Sequence, residues 1–250
     1  MEKFHDRFFE EVREKFKAKG ITTLLFDFDD TLVYTQEKFI KYMAEYISTV
    51  AEETGLAVEV VDEALRRLND QEYKKMGVNP ERWLAVAEKM VVEFGGYESE
   101  IFGNVDILMK IYQEEPRIKP GVEAILEIAK RSGLRMALVT HANVEWTQRK
   151  LESTGLAEFF DLIKIVDENK HKSIEDWLEV VNEMRVFPGE CLVLGDSLSG
   201  DIIPAAQMGA KTMWLHNGSS WSMYRMGSVP DGTVHLDDIE NLLSALEGLG

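Results

Sequence analysis

The sequence predicts an α/β protein: a doubly wound parallel sheet with an all-helical insertion. Three observations carry this prediction. Short apolar runs end abruptly in carboxylates or other polar groups, as buried parallel strands do at their C-terminal edges. Helical patterns alternate with those runs along most of the chain, which is the signature of a parallel sheet with crossover helices. Over residues 34–116 the alternation stops and helix follows helix.

The elements can be taken in chain order. Phe4, Phe8, Val12 and Phe16 recur at helical spacing in a charged N-terminal stretch, which predicts a helix docked by one stripe. ITTLLFDFDDTLV at 21–33 reads as the first strand and its polar exit. Four helical patterns then succeed one another: TQEKFIKYMAEYISTVAEETG, VVDEALRRLNDQEYKKMG, NPERWLAVAEKMVVEFGG and NVDILMKIYQ. Asn79-Pro80 predicts a helix start, and Gly55, Gly77 and Gly95 predict stops. Glu115-Pro116 and Pro120-Gly121 mark the return to alternation. RMALVTH at 135–141, FFDLIKIVD at 159–167 and CLVLGDS at 191–197 share the design of the first strand, and KTMWLH at 211–216 and TVHL at 233–236 are two further candidates. The division expected is a core of residues 1–33 and 117–250, including the N-terminal helix, and a helical unit of residues 34–116.

Composition narrows the function classes. A formal net charge of −17 argues against nucleic acid or anionic lipid as partner, since both need clustered positive charge. Nowhere does the sequence approach the length of apolar residues that a membrane span requires. The charged N-terminus lacks the apolar centre of a secretory signal, and the one cysteine, Cys191, lies in an apolar run where a buried structural thiol is expected. A reducing, cytoplasmic setting follows as the expectation. A small anionic substrate fits only if a metal ion or lysine offsets the acidic field.

In an open parallel sheet, ligands bind at the carboxyl ends of the strands, so the polar groups there are the candidate site. The first strand offers Asp27, Asp29, Asp30 and Thr31; the second offers Thr140; the third leads to Lys170 and Lys172; the fourth offers Asp196, Ser197 and, five residues on, Asp201. Taken singly, each has a plainer reading: a turn with a helix cap, a polar strand end, solvated lysines in a charged loop, a strand-to-helix connection. Converging carboxylates repel one another in a partly buried crevice unless a cation sits among them. All-oxygen ligands favour a hard ion, with Mg²⁺ first because it shares its coordination with water and phosphate. That combination points to phosphoryl transfer.

Four motifs of the core closely resemble those of the haloacid dehalogenase-like superfamily: LLFDFDDTLV, ALVTHAN, NKHKSIEDW and LVLGDSLSGD. The resemblance implies an Asp27 nucleophile that becomes an aspartyl phosphate, and an Asp29 that protonates the leaving oxygen and later activates water. It implies Mg²⁺ held by Asp27, the Asp29 carbonyl and Asp196, with Asp201 close by. It makes Thr140 a donor to the phosphoryl oxygens and a lysine a clamp on nucleophile and phosphate. Lys172 is preferred over Lys170 because an aromatic residue, Trp177, follows it by five. His141 and Asn143, beside Thr140, are expected to face the substrate. An acid at position 29 favours a phosphate ester over a halogenated substrate, so the expected activity is hydrolysis of a small phosphorylated metabolite, with phosphomutase as the alternative. The helical unit falls where the family places a cap. Oligomeric state is not legible.

Overall fold

The computed structural model describes residues 2–216 and 227–249, with side chains from residue 7 onward. Helix α1 (Glu2–Ala18) leads to β1 (Thr23–Phe26), a short β2 (Val33–Tyr34), and the helices α2 (Gln36–Thr54), α3 (Val58–Met76), α4 (Arg82–Phe94), α5 (Glu98–Phe102) and α6 (Val105–Met109). The chain returns through β3 (Arg117–Ile118) and α7 (Val122–Arg131) to β4 (Arg135–His141), α8 (Val144–Thr154), β5 (Leu162–Val166), α9 (Ile174–Met184), β6 (Cys191–Gly195), α10 (Ile203–Gln207), β7 (Lys211–Leu215), β8 (Val234–Leu236) and α11 (Leu242–Ala245).

Six strands form one parallel sheet in the order β5-β4-β1-β6-β7-β8. The order reverses at β1, which pairs with β4 on one side and β6 on the other, so the switch point of the sheet lies at the C-terminal end of β1. Burial follows from that position: Leu24, Leu25 and Phe26 are fully enclosed, with alternate side chains feeding two separate apolar layers.

The helical patterns appear where the spacing places them, with two refinements. Helix α4 begins at Arg82 rather than at Pro80, because the Asn79 side chain accepts the Glu81 N–H at 2.9 Å and holds a turn before the helix. A fifth short helix, α5, precedes the last pattern. Gly55, Gly77 and Gly95 cap the helices they were expected to stop. The sequence run at 21–33 also divides: β1 ends at Phe26, and β2 pairs antiparallel with β3, Val33 opposite Ile118 and Tyr34 opposite Arg117. The two crossings into and out of the helical unit are thereby zipped into one ribbon.

Helices α2–α6 bury their own apolar cluster, including Tyr46, Leu65, Trp83, Met90 and Ile101. One member comes from outside: Trp146 of α8 packs edge-on against Tyr112 at 5.0 Å, so a side chain from beyond residues 34–116 completes the cluster of the helical unit. The N-terminal stripe is narrower than its spacing suggests. Val12 and Phe16 are buried in the main cluster, Phe8 is 42% exposed, and Phe4 lies outside the described side chains. A step of four residues drifts around a helix of 3.6 residues per turn, which carries Phe8 out of the groove. Cys191 is buried and free; enclosure, with Glu190 adding, pushes its thiol up to about 12. Among the described residues, no helix is long and apolar enough to cross a membrane.

Candidate active site

Register brings the site together. Phe26 lies opposite Leu138 of β4 and Leu194 of β6, so the next residue, Asp27, leaves the sheet between two neighbouring strands. Its N–H still donates to Leu194 O at 2.9 Å, which fixes the backbone below the carboxylate. Asp27 is 6% exposed; one oxygen accepts from Lys172 Nζ at 2.7 Å and the other from Thr31 Oγ1 at 3.1 Å.

Lys172 also donates to Val139 O at 3.0 Å and ion-pairs with Asp201. Burial by itself lowers a lysine, but the charges of Asp201 and Asp27 outweigh it, so the ammonium is held above its usual range. Of the two lysines considered, Lys172 is the one against Asp27. Trp177, the aromatic residue used to choose it, places its ring 5.1 Å below that ammonium and donates to Gly200 O at 2.9 Å.

Asp196 and Asp201 arrive from β6. A turn of π-helix over Leu198–Ile202 returns Asp201 toward the strand end, and its carboxylate accepts the Ser197 N–H at 3.0 Å. The fit requires glycine at 195, since a Cβ there would lie 2.3 Å from Asp201 Oδ2. Carboxylate oxygens of Asp27, Asp196 and Asp201 lie within 4.8 Å of one another. Burial first, then the charges of Asp27, Asp30 and Asp201, raise Asp196 well above its ordinary value. Burial likewise pushes Asp201 up to about 7 despite Lys172. Three converging carboxylates, two of them buried and ion-paired with Lys172, suit a hard divalent cation in chemistry and charge.

Asp29 stands apart from that cluster. Its carboxylate accepts from Lys150 Nζ at 2.5 and 2.6 Å and from Thr35 Oγ1 at 2.5 Å. Both of its oxygens are therefore engaged by Lys150, one of them by Thr35 as well. Asp30 does the capping that a plain turn would predict: in left-handed backbone at φ 57, it accepts the N–H groups of Thr35 and Gln36, both at 2.9 Å, ahead of α2. Burial, resisted by those N–H groups, pushes it up to about 6.

The other expected residues take different places. Thr140 is fully buried at the end of β4, and its hydroxyl has no partner among the described groups. His141 and Asn143 line the cavity above the carboxylates. Burial, then the Lys172 charge, lowers His141 to about 4, which keeps its imidazole neutral near pH 7. Asn143 is committed elsewhere, accepting the Trp146 N–H at 3.0 Å as the cap of α8 and donating to Glu168 at 2.5 Å.

Lys150 and Thr35 were missed in the sequence. A signal for Lys150 existed: Trp146, Thr147, Lys150 and Leu151 form the buried stripe of α8, and a lysine on such a stripe implies a buried partner. Thr35 carries no such mark, because its role depends on where the ribbon turns.

A family model for haloacid dehalogenase-like hydrolases matches residues 21–209. The chain belongs to the haloacid dehalogenase-like hydrolases. Among curated relatives, YhcW of Bacillus subtilis, named as a candidate phosphatase, is 33% identical over 135 residues, covering 53% of this chain and 56% of that one. The chain thus spans about half of that relative's length. The pyrophosphatase PpaX of Halalkalibacterium halodurans is 28% identical over 194 residues, covering 77% of this chain and 82% of the relative. A haloacid dehalogenase-like hydrolase of Xanthomonas campestris superposes with a TM-score of 0.73 at 18% identity, covering 91% of each chain, and shares the fold. In this haloacid dehalogenase-like hydrolase, the matched residues 21–209 include all the strand-end groups just described.

Proposed function

We propose that this enzyme is a phosphatase that hydrolyses a small phosphorylated metabolite through an aspartyl phosphate on Asp27, with Mg²⁺ at the carboxylates. The observation that carries the reading is the contact of buried Asp27 with Lys172, with a second acid, Asp29, held separately two residues on. The names of the relatives, phosphatase and pyrophosphatase, agree with hydrolysis and lend nothing to the mutase alternative.

In this mechanism a carboxylate oxygen of Asp27 attacks phosphorus, the bond to the ester oxygen breaks, and Asp29 supplies the proton that the departing oxygen takes. Water then attacks the aspartyl phosphate, Asp29 takes its proton, and the P–O bond to Asp27 breaks to release phosphate. Lys172 orients Asp27 and offsets negative charge, and the Thr140 hydroxyl, without a partner among the described groups, donates to a phosphoryl oxygen. Asp27, Asp196, the Asp29 carbonyl and nearby Asp201 are the groups to hold Mg²⁺, which when bound neutralises charge on nucleophile and phosphate. Both Asp29 oxygens are occupied by Lys150 and Thr35, so the acid must leave this arrangement to reach a leaving group.

The test is phosphate release from a panel of phosphorylated metabolites with Mg²⁺ and with EDTA, for the wild type and Asp27→Asn. Release that requires Mg²⁺ and disappears in the variant is the expected result. Activity that survives in Asp27→Asn removes Asp27 as nucleophile.

A further inference from the structure

Between the helical unit and the strand ends lies a cavity of about 450 Å³, within the range that encloses small organic ligands. Asp27, Asp29 and Trp146 lie on its core side; Phe39, Asn69, Arg82 and Tyr112 lie on its helical side. Arg82 has no role in the mechanism above, and its environment is unusual. It is 3% exposed, yet among the described residues no carboxylate pairs with it. By contrast, Arg66 and Arg67, on the outer surface of the same helical unit, pair with Asp62 and Glu93.

Neutral groups satisfy only part of the guanidinium. Nε donates to Asn69 Oδ1 at 3.0 Å, and Nη1 donates to Asn79 O and Tyr112 Oη, both at 3.3 Å. Among the described residues no bond uses Nη2, which carries two of the five N–H donors. Rings hold the plane in place, Trp83 at 4.8 Å and Phe39 at 6.0 Å. Asp70 and Lys74 lie on the same wall, and Asp70 forms no ion pair with Arg82. A buried cation without a counter-ion is costly unless a ligand supplies the anion. A guanidinium with one fork edge open is the recognition group for a planar or tetrahedral oxyanion.

We propose that Arg82 receives a second oxyanion, a carboxylate or a phosphate, on the leaving-group side of the substrate, so that this enzyme selects phosphate esters carrying a second negative charge. The inference rests on the phosphatase reading and narrows its substrate class. The anion enters through the cap wall, while the transferred phosphoryl group is held by Lys172 and the groups around Asp27 on the core. Against the acidic rim of the core, Arg82, with Lys74 on the same wall, makes a doubly anionic substrate acceptable.

The experiment measures kcat/KM of the full-length, Mg²⁺-supplied enzyme on matched pairs. Phosphorylated hydroxy acids of increasing chain length are compared with their primary amides, and alkanediol bisphosphates with the corresponding monophosphates. The wild type is expected to prefer the charged member by about tenfold to a hundredfold at one chain length or more, the scale of a charge-assisted bidentate contact. The pair that shows the preference tells carboxylate from phosphate. Arg82→Gln should collapse that ratio to near unity, and Arg82→Lys, which keeps charge without the fork, should leave it intermediate. A wild type with no preference at any length overturns the proposal without any variant, so a misfolded Arg82→Gln does not protect it. So does a ratio unchanged in Arg82→Gln while both rates fall together, which marks a purely structural residue. Loss of all phosphate release, p-nitrophenyl phosphate included, overturns the phosphatase reading and this inference with it.

Discussion

At the scale of single residues, the site is defined by which charges face one another after burial. Among the described residues Lys172 alone forms ion pairs with Asp27 and Asp201, so Lys172→Met leaves two buried carboxylates without an ion-pair partner. In EDTA this should destabilise the fold by about 3–5 kcal/mol in chemical denaturation; a loss below 1 kcal/mol would mean that solvent already relaxes the pair. Lys150 acts on Asp29, and its truncation should separate the two half-reactions. With Lys150→Met and p-nitrophenyl phosphate, whose leaving group needs little protonation, we expect a burst of nitrophenol and then slow turnover. Alkyl phosphates should lose rate without a burst. Equal losses and no burst would reduce Lys150 to a packing role. His141 gives a pH signature: its folded value of about 4 lies below the unfolded 6.5, so the unfolded chain binds more protons between them. The associated stability is complete above pH 6.5 and lost as pH falls toward 4, up to about 3 kcal/mol. Unfolding followed by denaturant at several pH values should show that step in the wild type and lack it in His141→Gln.

At the scale of elements, the decisive features are a π-turn and a ribbon. The turn over Leu198–Ile202 depends on glycine at 195, because any larger residue collides with Asp201. Gly195→Ala should therefore displace Asp201 and weaken the cation site, raising the Mg²⁺ concentration for half-maximal activity by about tenfold, the scale of disturbing a ligand's support. An unchanged Mg²⁺ dependence would show that Asp201 can shift at no cost. The ribbon of β2 and β3 joins the helical unit to the core through a paired two-strand connection. A second contact lies opposite it, where Val78 N–H donates to Glu168 O at 2.9 Å and Asn79 meets Asn169 at 2.9 Å. Gly77, at φ 57 with Glu168 O 2.2 Å from where a Cβ would lie, allows that approach.

At the scale of the whole molecule, a net charge of −17 surrounds a pocket where three carboxylates converge. Any cation bound there in the folded state alone stabilises it by mass action, about 2.7 kcal/mol at a hundred times its dissociation constant. Mg²⁺ should raise the thermal midpoint of the wild type, and Asp196→Asn should blunt that rise. A midpoint indifferent to Mg²⁺ would remove the cation from the site. The helical unit and the core also share an apolar contact, since Trp146 belongs to the cluster of the helical unit, and Arg82 lines the same pocket as the carboxylates.

The sequence by itself determined the class of fold, the placement of the helical unit and the strand-end groups Asp27, Asp196 and Asp201. Hydrophobic period and strand-end position are local properties, and burial in a parallel sheet forces both. The preference for Lys172 was legible through Trp177, five residues on. The tertiary structure alone decided that Asp29 is held by Lys150 and Thr35, that Asn143 caps α8, and that Arg82 stands in the cavity wall without a carboxylate partner among the described residues. Those facts depend on contacts between residues far apart in the chain. Their energies come from removing charges from water, which no window of sequence records.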